Sequence, residues 1–342
     1  MPAPGLGHLV MAQLGELTHA NDLTLRQDEA LARHTTLRLG GPADVWVQPR
    51  TWAATAELLA RCHDRAVPVT HIGSGTNLLV RDGGIRGVVV NLRHLNRVWC
   101  PARLTPAPAT PGLPWDLPWD MGTDLQQTST GVLVFVEAGS STGRLLNAAT
   151  AWHLGGLEFL GGVPGTVGGG LVMNAGTYLG EFTDVTVELL SLRPDGTGIT
   201  RRHAECGFAY RSSALPKEEI VAAAVLELAP RSPDEIAADI SVLRARRRAR
   251  EPRGVANSGS TFKNPPNDHA GRLIETAGLK GLSLGAATVS PVHANWLVID
   301  PKASAPPRSV DLIGLINKVR DRVRQRHGVA LTLEVNIIGD DL

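Results

Sequence analysis

Two rhythms of apolar and polar positions run along the chain. Val45-Trp46-Val47, Val67 to Ile72 and Val88-Val89-Val90 are short apolar runs of strand length, bounded by polar or glycine-rich breaks. Between them, the spacing of Ala and Leu from Thr51 to Ala66 predicts a helix with Thr51 as its N-cap. Val132 to Glu137 reads as a strand, and Ser141 to Leu154 as a helix capped by Ser140 or Ser141. Val185 to Leu192 and Ile199 to Arg202 flank Pro194-Asp195-Gly196-Thr197, a hairpin signal. After a strand at Ile220 to Leu228, Ser232-Pro233-Asp234-Glu235 has the form of a capping box with proline at the first helical position. It opens a helix to about Arg250 and marks a domain boundary near residue 230. The remainder predicts a short helix at Ala270 to Ala277, a strand at Trp296 to Ile299, a helix from Ser309 to His327 stopped by Gly328, and a terminal strand at Leu331 to Ile338. This mixture is an α+β pattern.

Two segments break the rhythm. Residues 1–28 show little periodicity and read as a loose arm. Residues 101–130 carry proline at a density that prevents regular pairing, so they read as an insertion between strands. Its Trp115 and Trp119 suit a loop folded back on its own domain better than a partner motif.

Composition narrows the class. The 342 residues suffice for two or three domains, with 43% hydrophobic and 20% charged residues. Lys plus Arg number 34 against 33 Asp plus Glu, a net charge of +1, which argues against a nucleic-acid or anionic-membrane partner. Cys62, Cys100 and Cys206 are scattered without a CxxC pair, so neither a disulfide framework nor a metal site is expected. Without a secretory pattern or a run of about 18 apolar residues, the expectation is a cytoplasmic protein away from membranes.

The chemistry concentrates in two glycine clusters. Gly73-Ser74-Gly75-Thr76-Asn77-Leu78 follows a strand and gathers backbone N–H groups and hydroxyls in a tight turn. That suits a pyrophosphate, although a tight turn alone also asks for glycine. The lysine of a Walker loop is missing, and the following Leu78-Leu79-Val80 looks like strand, not the helix of a Rossmann fingerprint. Gly155 to Gly176 is richer still, and so much glycine costs conformational entropy. Backbone packed closely on a flat ligand accounts for it better than loop geometry does.

Taken together, several segments resemble the UDP-N-acetylenolpyruvoylglucosamine reductases, the MurB family. They are His34 to Ala43, the 73–91 block, Gly156 to Gly176, Cys206 to Ser213, Ser258-Gly259-Ser260-Thr261-Phe262-Lys263-Asn264-Pro265, Ala270 to Gly281, His293-Ala294-Asn295 and Leu333-Glu334-Val335. They occur in family order from about residue 30 onward. The resemblance implies an FAD-binding domain of the PCMH or vanillyl-alcohol-oxidase type over 29–230, a smaller α+β substrate-binding domain over 231–330, and a C-terminal strand, 331–342, returning to the active site. It implies FAD as cofactor, NADPH as hydride donor, and reduction of an enolpyruvyl ether of UDP-N-acetylglucosamine to UDP-N-acetylmuramate.

By the same resemblance Ser260 corresponds to the proton donor, and Arg211 with Glu334 to the pair that stabilises the intermediate. Gly73, Ser74, Gly75, Thr76, Asn77, Leu78, Gly139, Pro164, Gly165, Thr166, Gly168, Gly169, Asn174 and Gly176 fall where the family holds FAD. Lys263, Asn264, Arg247, Tyr210 and Asn295 fall where it holds substrate. His34, Thr76, Gly170 and Asp300 depart from the usual residues without touching the catalytic three. The short stretch from Arg211 to Ser260 lacks the segment that carries a substrate-covering tyrosine in one subgroup. The chain therefore resembles the second subgroup (type II), in which another element must close the site. The working unit is expected to be a monomer. The alternatives are an alcohol-oxidising flavoenzyme of the same fold and a flavin- or nucleotide-binding module without catalysis. Neither needs Arg211, Ser260 and Glu334 together.

Overall fold

The computed structural model describes residues 7–14, 16–100 and 131–342. The proline-rich insertion, with Trp115 and Trp119, lies outside them.

Helix α1, Gly7–Leu14, precedes a sheet ordered Leu23–Ala30, Pro42–Pro49, Ile85–Val90, Val69–His71. Its first pair is antiparallel and the others are parallel. Parallel neighbours need a crossover, and α2, Trp52–Asp64, lies between Pro42–Pro49 and Val69–His71. Val45, Trp46, Val47, Val88, Val89 and Val90 are fully buried, which explains why these strands read as continuous apolar runs. Thr51 Oγ1 accepts from the Ala54 N–H, so the N-cap read from sequence is in place.

The second sheet runs Gly198–Arg202, Thr186–Leu192, Ile220–Pro230, Val132–Glu137, Val98–Trp99, antiparallel throughout. Helices α3, Thr142–Ala151, and α4, Val167–Val172, contribute to its core. They are capped by Ser141 Oγ and Thr166 Oγ1, which accept from the N–H groups of Arg144 and Gly169. The buried carboxylate of Glu137 accepts from the Trp52 indole at 3.0 Å and pairs with Arg97, tying α2 to this sheet.

Helix α5, Pro233–Arg250, starts at the expected proline, but the Ser232 hydroxyl makes no capping bond. The expected boundary near 230 is displaced as well. Ile236 and Ile240 on the apolar face of α5 bury themselves in the first core, against α3 and residues 158–160. The third sheet, Ala256–Asn257, Leu297–Ile299, Ala287–Val289, Ser283–Leu284, packs with α6, Ala270–Thr276, and α7, Ser309–His327. Gly328 ends α7 at φ 70°, a left-handed conformation that favours glycine.

Two other expectations give way. Residues 1–28 are not a loose arm over their described part. Leu23–Ala30 pairs with Pro42–Pro49, and Val10 and Leu14 of α1 are buried in the first core. Leu23 and Leu25 provide the period-two signal, but only over three residues before the polar Arg26 to Glu29 obscures it. The terminal strand shrinks to Asn336–Ile338, which pairs in parallel with Leu78–Val80. Residues 331–335 instead run beside residues 261–263, through Lys263 N–H to Thr332 O and Glu334 N–H to Thr261 O.

Candidate functional site

A cleft of about 1160 Å³ runs between the glycine loops, α5 and the third sheet. That volume exceeds the roughly 300–1,000 Å³ usual for one small ligand.

One wall is backbone. The strand Val69–His71 leads into Gly73 to Leu78, and Asn91 Nδ2 holds its exit by donating to the carbonyls of Ile72 at 2.9 Å and Gly73 at 2.8 Å. Gly75 turns the loop at φ 66°, where a Cβ would stand 2.1 Å from the His34 carbonyl oxygen. Pro164, Gly165, Thr166, Gly168 and Gly169 face this loop, with Gly139 and Gly176 beside them, and all line the cleft. Gly165 is different in kind. A Cβ there would meet only Thr76 Oγ1, at 3.6 Å, so a side chain would fill the cleft instead of striking protein.

The other end is charged. Arg211 sits at φ 53°, a conformation uncommon for a residue with a side chain. Asn174 helps hold that turn by donating to the Ala209 carbonyl at 3.2 Å. The guanidinium donates to the Gly176 carbonyl at 2.8 Å and stands 3.3 Å from the Glu334 carboxylate. Lys263 Nζ donates to the Arg211 carbonyl at 3.0 Å. Burial pushes the Glu334 carboxyl above its ordinary range, and Arg211 and Lys263 pull against that shift. A sheltered carboxyl that can keep its proton, beside a guanidinium, can hydrogen-bond and neutralise an anion that forms between them. Ser260 lines the same cleft, half-buried, directly after Gly259 at φ 77°.

Residues 43–117 match the model of an FAD binding domain, and residues 251–338 that of the UDP-N-acetylenolpyruvoylglucosamine reductase C-terminal domain. A protein of that name from Moorella thermoacetica is 37% identical over 331 residues, 97% of this chain and 99% of its own. Another from Anaeromyxobacter dehalogenans is 38% identical, over 92% of this chain and 86% of its own. The chain belongs to the UDP-N-acetylenolpyruvoylglucosamine reductase family. The crystal structure of the Thermus caldophilus MurB matches 93% of this chain and 99% of its own with a TM-score of 0.70 at 30% identity.

The chain thus has the FAD-binding domain and the C-terminal domain of this family of flavoenzymes. The residues present fit FAD. Gly165 leaves a cradle that a Cβ would fill, and the hydroxyls of Ser74, Thr76 and Thr166 stand on the same wall.

Four residues that the resemblance placed at the site do not line the cleft. Asn174 is fully buried and bonds Glu181, Ala209 and the Thr183 N–H, so it shapes the turn behind the cofactor wall. Asn295 is buried and exchanges two bonds with the Phe262 backbone, at 3.0 and 2.8 Å, so it fixes the loop that carries Ser260. Asn264 is exposed, and its side chain accepts from the Ala270 N–H at the start of α6. Tyr210 is half exposed, with the Arg211 guanidinium 5.2 Å from its ring centre. In each case a polar side chain does local structural work that a motif cannot distinguish from ligand binding. Lys263 and Arg247 do line the cleft, and Arg247 is held by Glu251 at 3.1 Å.

Sequence reasoning missed other lining residues. Tyr178, on the turn between Gly176–Thr177 and Gly180–Glu181, lies under the guanidinium of Arg246, a member of the arginine run that ends α5, at 4.6 Å, and both line the cleft. His293 also lines it, with Nδ1 accepting from the Asn295 N–H at 3.2 Å. An aromatic two residues beyond the glycine run was the one available signal for Tyr178.

Proposed function

We propose that this chain reduces the enolpyruvyl ether of UDP-N-acetylglucosamine to UDP-N-acetylmuramate in peptidoglycan precursor synthesis, as an FAD-dependent enzyme that takes its hydride from NADPH. The observation that carries the proposal is the Arg211–Glu334 pair with Lys263, standing in the same cleft as Ser260 and the glycine wall. FAD, once reduced, supplies the hydride for the substrate's double bond. Addition of hydride leaves an electron pair that spreads into the substrate carboxylate as an enediolate. Arg211 neutralises that charge in a fixed fork geometry, and Glu334 hydrogen-bonds it. Ser260 then gives its proton to the carbanionic carbon, completing addition of one hydride and one proton across the bond.

Lys263 and Arg247 bind the UDP diphosphate as cations on the cleft wall. The backbone of Gly73 to Leu78 and the hydroxyls of Ser74 and Thr76, with Gly139, Pro164 to Gly169 and Gly176, hold the cofactor. The working unit in this reading is a monomer. The near balance of 34 basic and 33 acidic residues supports small anionic ligands in preference to nucleic acid. Among the described residues, no helix is long and apolar enough to cross a membrane. A cytoplasmic setting accords with the NADPH and nucleotide substrates.

The test is optical. Purified protein should carry flavin absorbance, bleach anaerobically with NADPH, and recolour on addition of the enolpyruvyl substrate. Recolouring with oxygen alone, and none with that substrate, would overturn the proposal.

A further inference from the structure

The proposed chemistry leaves one polar side chain of the cofactor wall without a part. Asn77 stands where a side-chain amide reads as a phosphate ligand, but its donor is engaged elsewhere. Nδ2 donates to the Glu334 carbonyl oxygen at 3.0 Å. The Asn77 carbonyl accepts from the Asn336 N–H, also at 3.0 Å. On the other side, the Glu334 N–H donates to the carbonyl of Thr261, the residue after Ser260, at 2.9 Å. Both backbone groups of Glu334 are therefore held, the N–H by the serine loop and the carbonyl by Asn77. The strand pairing of Leu78–Val80 with Asn336–Ile338 starts at the next residue.

The loop behind Asn77 has little freedom of its own. Gly75 is pressed against the His34 carbonyl, and its own carbonyl accepts from the Thr36 N–H at 3.1 Å. A displacement of Asn77 would thus have to disturb the cofactor wall, and a disturbed wall would pass through Asn77 to the Glu334 backbone.

We propose that Asn77 is a positioning residue: its amide fixes the backbone of Glu334, sets that carboxyl against Arg211, and makes its placement depend on the conformation of the loop that cradles FAD. The kinetic side of this inference rests on the reductase reading above. Few other residues could serve. Alanine has no donor, and aspartate would set an anionic oxygen against the Glu334 carbonyl. Small displacements matter at such a site, because a misplacement of about 1 Å can cost on the order of a hundredfold in rate.

The test compares Asn77→Ala and Asn77→Asp with the wild type, each loaded with FAD. Hydrogen exchange, followed by mass spectrometry, should speed up at least fivefold in residues 334–338 of both variants. Removing FAD from the wild type should speed up the same segment. In turnover, kcat for the enolpyruvyl substrate should fall tenfold or more, KM should stay within threefold, and bound flavin should remain stoichiometric. Relative to the wild type and to Asn77→Ala at the same pH, Asn77→Asp should recover part of its kcat as pH falls and the new carboxyl regains an O–H donor, a response that mere loss of packing would not give. Unchanged exchange in 334–338 would overturn the inference. So would variants that lose FAD and regain full kcat at saturating FAD, since Asn77 would then be a cofactor contact. The exchange measurement needs no substrate. A wild type that shows the FAD-dependent exchange but does not reduce the enolpyruvyl ether would overturn the proposed reaction and leave the link standing.

Discussion

At its glycine end the cleft is walled by backbone with no room to spare, whereas at its charged end it is walled by side chains that hold one another. Gly75 and Gly139 are packed so that a Cβ would meet His34 and Leu92 carbonyl oxygens at 2.1 and 1.8 Å. Arg211, Lys263 and Glu334 are placed by an ion pair and by bonds to carbonyls of distant segments. The first kind of wall is rigid by exclusion and can offer amides to a ligand without moving. The second can be adjusted one side chain at a time, which suits the steps where charge appears and a proton moves. A change at the glycine end should therefore damage cofactor binding and fold together. A change at the charged end should damage one half of the reaction.

The largest effect expected from that contrast is at Ser260. Ser260→Ala should slow flavin reoxidation by the enolpyruvyl substrate by a hundredfold or more, the usual scale for a lost proton donor. Bleaching by NADPH should stay close to the wild-type rate. Stopped-flow absorbance resolves the two halves, and equal slowing of both would erase the distinction between the two ends. At the glycine end, Gly75→Ala should lower both Tm and flavin content, because the substitution combines strain at positive φ with a clash against backbone. Gly169→Ala is the sharpening control. Its Cβ would meet only Thr166 Oγ1, at 3.4 Å, so it should leave Tm nearly unchanged.

The third prediction concerns pH. Burial raises the Glu334 carboxyl, against the pull of Arg211 and Lys263, and the protonated form is the one that can donate to the developing enediolate. Substrate-driven flavin reoxidation should therefore decline as pH rises through that elevated pKa. Glu334→Gln, a donor at every pH, should flatten this limb. A rate that climbs with pH in the wild type would count against the assignment.

The smallest effect lies outside the cleft. Burial alone would raise the Glu57 carboxyl, but the N–H groups of Thr18 and His19 outweigh it and hold the pKa at about 2, below the ordinary 4.5. A depressed carboxylate contributes stability that is full above the ordinary value and lost as pH falls toward 2. Glu57→Gln should lower Tm by about 1–2 °C at neutral pH for each 1 kcal/mol lost, and the gap should close in acid.

Local chemistry was readable in the sequence, and distant chemistry was not. Thr51, Ser141 and Gly328 cap helices as their residue types suggest, because a cap is decided within four residues. The two glycine clusters pointed to one wall of the cleft for the same reason. The buried partners of Asn174 and Asn295 were not readable, since they come from turns and strands that no spacing reveals. The edge strand Leu23–Ala30 escaped notice because a half-exposed strand with four consecutive polar residues, Arg26 to Glu29, has no clear period. Tyr178 and Arg246 are 68 positions apart in the chain, and nothing local to either points to the other.

The bond from Asn77 to Glu334 spans 257 residues and also has a bearing on how the molecule comes into being. Closing so long a loop costs only slowly more entropy than closing a short one, about 0.6 kcal/mol for each doubling. Contacts of such long range are nonetheless the ones that delay folding. The glycine wall is built largely from residues 73–176 and can form while residues 333–338 are still unattached. Refolding should therefore pass through a stage that has gained secondary structure before the Glu334 carboxyl arrives. Recovered circular dichroism should precede recovered activity, with the interval set by the docking of a single short strand.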